Sequence, residues 1–331
     1  MSGDDVLDGT RWVARVRAAR ERIRGLALST PLVPSFDLTR YVEREVWLKY
    51  EQVQPTGAFK VRGAANFLRE HREAAGAVTY STGNHGLAVA YVARALGMTA
   101  TVCVSRHVPT VKVSALRQLR AEVRVCGESQ DAAGEAARRL ARQVGQVLVE
   151  PFDDPAIIAG QGTIAAEILE SLPAPGTVVV PLSGGGLLAG VAVYLKMMRP
   201  QARVVGVSME RAPVMYHSLL NGHAVTLPEQ QTLADSLQGG IGLGNRYTLA
   251  MIRQWADDTV LVSEAEIAEA MGYLAVTAGQ LVEGAAAVGV AALLHRRVRL
   301  APGPVVVLIT GRTVEAETIV DLTRQYLERN R

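Results

Sequence analysis

Lys60 sits in PTGAFKVRGA, residues 55–64, among the small or apolar residues Gly57, Ala58, Phe59 and Val61. Most lysines are solvated surface charges. One held in such surroundings loses solvation, its pKa falls, and its amine becomes a nucleophile able to form a Schiff base.

Three further segments have residue types suited to chemistry. STGNHG, Ser81 to Gly86, lies between the strand-like AVTY and a helical stretch. Such a turn presents free N–H groups at a helix N-terminus, a ready anion site, with Ser81, Thr82, Gly83, Asn84 and His85 around it. A well-capped turn is the plain alternative. SGGGLLAG, Ser183 to Gly190, follows the strand-like TVVVPL. Its glycines let backbone amides turn toward a phosphate at the start of a helix. It is no Walker A loop, since no Gly-Lys-Ser/Thr follows. Gly184, Gly186 and Gly190 approach a dinucleotide fingerprint, with the last spacing one residue too long and Glu210 near the place of a ribose-binding acid. A dinucleotide-binding module is therefore a competing reading of this loop. Lastly, VVVLITGRT ends a buried strand on Thr310, a strand cap or a functional hydroxyl.

These segments need a scaffold. Short apolar runs near Val46, Val78, Val102, Val123, Val179, Val205, Val260 and Val306 alternate with helical patterns at 86–96, 112–120 and 132–144. That alternation predicts parallel sheets with helices on both faces and ligands at the strand ends. At 331 residues two packed lobes sharing a cleft are expected. The uncharged run Val178–Leu195 contains Pro181, Ser183 and three consecutive glycines, which fits a strand, a turn and a helix better than a membrane span.

Composition narrows the classes. The net charge is only +3, and the arginines between Arg11 and Arg24 alternate with Trp12, Val13, Val16 and Ile23 on one helical face. A solvated helix is expected there and no nucleic-acid partner. Cys103 and Cys126 have no zinc-like spacing and read as reduced buried thiols. The start MSGDDVLDG has no apolar core of a secretory signal, so a cytoplasmic location is expected.

Taken together, TGAFKVRGA, STGNHG, SGGGL and AIIAGQGTIAAEI (156–168) resemble the fold-type II pyridoxal 5′-phosphate (PLP) enzymes of the threonine dehydratase and serine racemase family. The resemblance runs from about Thr30 to Thr313. It implies a tryptophan synthase β-like fold, with two open parallel-sheet lobes and PLP in the cleft between them. Residues 1–75 with 151–331 would form the large PLP-binding domain and 76–150 the small one. By the same resemblance Lys60 is the Schiff-base lysine and the base at Cα, and Phe59 packs near the ring. Asn84 meets the 3′-hydroxyl, Ser183, Gly184, Gly185, Gly186 and Leu187 cradle the phosphate, and Thr310 meets the pyridine nitrogen. Ser81, Thr82, Gly83 and His85 bind the substrate, an amino acid, and a homodimer is implied. A hydroxyl partner leaves the ring a weaker electron sink than a carboxylate would, which suits β-elimination from a β-hydroxy amino acid.

The chain departs from the family text in places. Thr82 stands where the racemases carry a serine on the opposite face of Cα, so racemisation is the runner-up activity. Ser208 and Val214 stand where a divalent-metal site would have carboxylates, so no metal is expected, with Glu210 displaced by two positions. Residues 232–248, TLADSLQGGIGLGNRYT, with VSMERAPVMYHSLLNG, resemble the hydroxyectoine-utilisation dehydratases, whose substrate is a hydroxylated diaminobutyrate derivative.

Overall fold

The computed structural model describes residues 6–81, 83–106, 108 and 110–330. Its strands form two sheets. One has six strands: β1 (Leu32–Pro34), β2 (Val46–Tyr50), β10 (Val305–Ile309), β7 (Thr177–Pro181), β8 (Arg203–Met209) and β9 (Asp258–Val262), side by side in that order. The other runs β5 (Glu122–Val125), β4 (Thr99–Val104), β3 (Gly76–Tyr80), β6 (Val147–Val149). The residues of β3, β7 and β10 are all buried, as expected of parallel strands covered on both faces. All pairings are parallel except β1 with β2, which is antiparallel. The sequence pattern did not separate β1 or β6, each only three residues long.

Helices cover both sheets. The arginine-rich stretch is helix α1, Gly9–Arg22, capped by the Asp8 carboxylate. Trp12, Val13, Val16 and Ala19 enter the core, while Arg20 pairs with Glu170 and Arg22 with Glu70 at the surface. The solvated-helix expectation describes it. The uncharged run divides into β7, a glycine turn and helix α8 (Gly186–Met198). Among the described residues no helix is long and apolar enough to cross a membrane. Helix α7 (Pro155–Ser171) crosses α8 in backbone contact, since a Cβ on Gly190 would lie 2.3 Å from the Ile158 carbonyl oxygen. Cys103 is buried, but Cys126 is only half-buried because it follows the edge strand β5, so one of the two thiols departs from the buried expectation.

Beneath the cleft lies a closed ion cluster. Arg62, fully buried, gives its guanidinium N–H groups to Glu51 (2.7 and 2.8 Å), Glu167 (2.6 and 2.8 Å) and Thr163 (3.1 Å). Lys49 donates to Glu167 at 2.6 Å. Two cations and two anions leave no net charge. The cluster ties the end of β2 and helix α7 to helix α3 (Val61–Glu70), whose first residue follows Lys60.

Candidate active site

One pocket opens at the carboxyl ends of strands from both sheets, beyond β3, β6, β7 and β10, where open parallel sheets bind ligands. Phe59, Lys60, Ser81, Gly83, Asn84, His85, Ser183, Gly184, Gly185, Gly186, Leu187 and Thr310 all line it. Segments more than 200 residues apart in the chain therefore converge. Thr82 lies outside the described residues.

The Lys60 segment is laced to the end of β10. The Phe59 amide donates to the Thr310 carbonyl (3.0 Å), and the Arg312 amide donates to the Gly57 carbonyl (3.0 Å). Gly57 has φ +77, a left-handed conformation that favours glycine. The Lys60 amine donates to the Pro151 carbonyl at 2.8 Å and lies 5.3 Å from the centre of the Phe59 ring. Loss of solvation pulls its pKa down to about 8, with the Glu283 carboxylate pulling partly the other way. A larger share of neutral amine at neutral pH is what a nucleophilic lysine needs.

Two helix N-termini point their unpaired amides at this pocket. Helix α8 starts behind Gly185, whose φ of +91 turns the chain, and helix α4 (Asn84–Ala95) starts behind Gly83. Neither has a side-chain cap among the described residues, so their first-turn N–H groups are left for an anion. The glycines of the first loop are sterically required. A Cβ on Gly184 would lie 2.3 Å from Phe152 Cδ1, and one on Gly186 would lie 2.7 Å from the Phe152 carbonyl oxygen. Ser81 closes the other turn, its hydroxyl accepting from the Gly83 amide at 3.1 Å.

His85 enters differently from the sequence expectation. Its Nε2 lies 3.1 Å from the Val149 carbonyl oxygen. A carbonyl only accepts, so Nε2 carries the proton, and buried Nδ1 has no partner among the described residues. Burial, reinforced by Lys60, drives the imidazole pKa down to about 3. A neutral ring turned to β6 does not reach for a carboxylate. The backbone amide of His85, in the first turn of α4, is the group suited to it.

Sequence reasoning missed Glu283. Its carboxylate accepts from Asn84 Nδ2 at 2.9 and 3.0 Å and from the Thr313 amide at 3.1 Å, while the Thr313 hydroxyl donates to Asn84 Oδ1 at 2.6 Å. Burial raises its pKa to about 7, against the Asn84 hydrogen bond. The signal was in the text: Glu283 is the one charged residue from Ala278 to Leu294. Phe152, Lys112 and Asp235 also line the pocket and were likewise not singled out.

PLP fits the residues present. An amine of lowered pKa, an uncapped glycine loop at a helix N-terminus and the buried Thr310 stand around one cavity, matching an aldehyde, a phosphate and a ring nitrogen. The sequence profile described as pyridoxal-phosphate dependent enzyme matches residues 23–311. The chain belongs to that family. Its relatives include a Sinorhizobium fredii protein whose name proposes a threonine dehydratase, 46% identical over 303 residues and 91% of each chain. The L-threonine ammonia-lyase of Thermotoga maritima is 38% identical over 92% of this chain and 76% of its own. Among solved structures, maize serine racemase superposes with a TM-score of 0.87 at 29% identity, covering 96% of this chain and 98% of that one. The expected α/β fold and PLP dependence therefore hold, and the dinucleotide reading of residues 183–190 does not.

Proposed function

We propose that this PLP-dependent lyase eliminates water from a β-hydroxy amino acid, whose unsaturated amine then hydrolyses to a 2-oxo acid and ammonia. The observation that carries the reading is the Lys60 amine, lowered to about 8, in one pocket with two uncapped helix N-termini. Bound PLP supplies an electron sink for the pair released when the Cα proton leaves. The protein's own groups do the rest. Amides around Ser183–Leu187 hold the phosphate, those of the Ser81–His85 turn hold the substrate carboxylate, and the Lys60 amine removes the Cα proton. The Thr310 hydroxyl meets the ring nitrogen without forcing a proton onto it. The threonine ammonia-lyase relatives support elimination as the main outcome.

Racemisation is the second reading, favoured by the likeness to serine racemase, with Thr82 as the acid on the opposite face of Cα. The finer reading is a hydroxylated diaminobutyrate derivative as substrate in hydroxyectoine use, resting on residues 232–248. A cytoplasmic homodimer, and a division into residues 76–150 and the rest, belong to the same proposal.

The test is to incubate PLP-loaded protein with L-threonine and L-serine and measure 2-oxo acid. Rapid release supports a serine/threonine dehydratase. Release only from a hydroxylated diaminobutyrate supports the finer reading. A Lys60→Ala protein with full turnover would sink elimination by this site.

A further inference from the structure

The cofactor and substrate-carboxylate assignments leave two charged residues of the pocket unexplained. Lys112, in helix α5 (Thr110–Gln118), and Asp235, in the short turn Asp235–Leu237, meet across the cleft with Lys112 Nζ 3.1 Å from Asp235 Oδ2. Both line the cavity that holds Lys60, and both act electrostatically on buried Glu283. Their side chains are only 20% and 43% exposed. A partly exposed pair of this kind contributes little to stability, so its place in the pocket asks for another explanation.

We propose that Lys112 and Asp235 form the contact that reads the substrate's side chain, selecting a neutral group that both donates and accepts a hydrogen bond, as a carboxamide does. The inference rests on the amino-acid substrate proposed above and goes on to name what lies beyond Cβ. An ammonium has three N–H groups and Lys112 gives one to Asp235. The Asp235 carboxylate accepts from Lys112 on Oδ2 and from the Ser236 hydroxyl on Oδ1 at 3.3 Å, with lone pairs remaining. A carboxamide can accept from the first and donate to the second while the pair stays closed. A carboxylate would sit beside Asp235 and an ammonium beside Lys112, each repelled by one partner. A methyl group would leave both charges without a substrate partner.

The test uses holoenzyme and three amino acids lacking a β-leaving group: L-asparagine, L-aspartate and L-2-aminobutyrate. Binding is read from the visible absorption of the cofactor, independently of turnover. The wild type is expected to bind asparagine at least about tenfold tighter than aminobutyrate, the worth of one hydrogen bond to a charged group. Asp235→Asn leaves Lys112 unopposed and should shift the preference from asparagine to aspartate by about tenfold or more. Lys112→Met should erase the asparagine advantage, while Lys112→Arg, which keeps the pair, should retain it. The same order among the three amino acids in wild type, Asp235→Asn and Lys112→Met overturns the inference, as does aminobutyrate binding as well as asparagine. If the expected order holds but 3-hydroxyasparagine, threonine, serine and a hydroxylated diaminobutyrate all fail to release a 2-oxo acid, the specificity contact stands and the elimination reading falls.

Discussion

Asn84 and Glu283 meet across the cleft, the amide of one donating to both carboxylate oxygens of the other at 2.9 and 3.0 Å. Asn84 opens the helix after β3 in the four-stranded sheet, and Glu283 precedes the helix that runs beneath β10 and β7 in the six-stranded one. The contact joins the two sheets at the pocket itself. It also sets a buried acid of raised pKa against the residue proposed to meet the cofactor.

Glu283 should give stability a pH dependence. Its folded pKa, about 7, lies above the ordinary 4.5, so the folded state holds the extra proton between those values. Stability from this group is therefore full below pH 4.5 and is lost as pH rises to 7, by about 3 kcal/mol. In Glu283→Gln that decline should be absent. Urea unfolding at pH 5 and 7.5 checks it; equal declines in both proteins would refute the assignment.

His85 should act in the opposite sense. Its pKa falls from 6.5 to about 3, so stability is full above pH 6.5 and is lost as the medium acidifies toward 3. The loss between pH 6.5 and 4.5 should be about 2–3 kcal/mol. His85→Gln keeps a donor for the Val149 carbonyl and has no proton to gain. With Glu283 unchanged in both proteins, the difference in stability between His85→Gln and wild type should shift in favour of the variant by that amount as pH falls from 6.5 to 4.5.

The Arg62 cluster should tolerate balanced changes better than single ones. Arg62→Met leaves Glu51 buried with only its neutral donors Thr30 and Gln54 and no cation beside it, and should cost about 3–5 kcal/mol. Adding Glu51→Gln restores neutrality and should recover part of it. Denaturant midpoints of the single and double variants decide; a double variant less stable than the single one would contradict the electrostatic account.

Gly186→Ala should weaken cofactor binding. Its Cβ would meet the Phe152 carbonyl oxygen at 2.7 Å and push the loop off the position its amides now hold. Each weakened N–H to phosphate contact should cost about 1.5–3 kcal/mol, so PLP affinity should drop tenfold or more. Spectroscopic titration of the cofactor-free protein measures it, and thermal unfolding of that same form reports separately what the backbone contact costs the fold.

Much of this site was legible in the text because its chemistry depends on local sequence. Lys60 stands among apolar neighbours, and the two loops are strand–turn–helix units whose free amides follow from their own backbone. The Arg11–Arg24 stretch and the run at 178–195 were equally readable, since burial periodicity is a property of neighbours. The strands β1 and β6 were not, being too short to carry a pattern and held by pairing with distant partners.

The sequence by itself thus determined the α/β alternation, the four chemical segments and the family they belong to. Only the tertiary structure decided that Glu283 faces Asn84, that Lys112 reaches Asp235, and that the His85 ring turns to Val149. Those are contacts between residues far apart in the chain. Their charge states follow from burial and from partners across the cleft, and no local spacing encodes either.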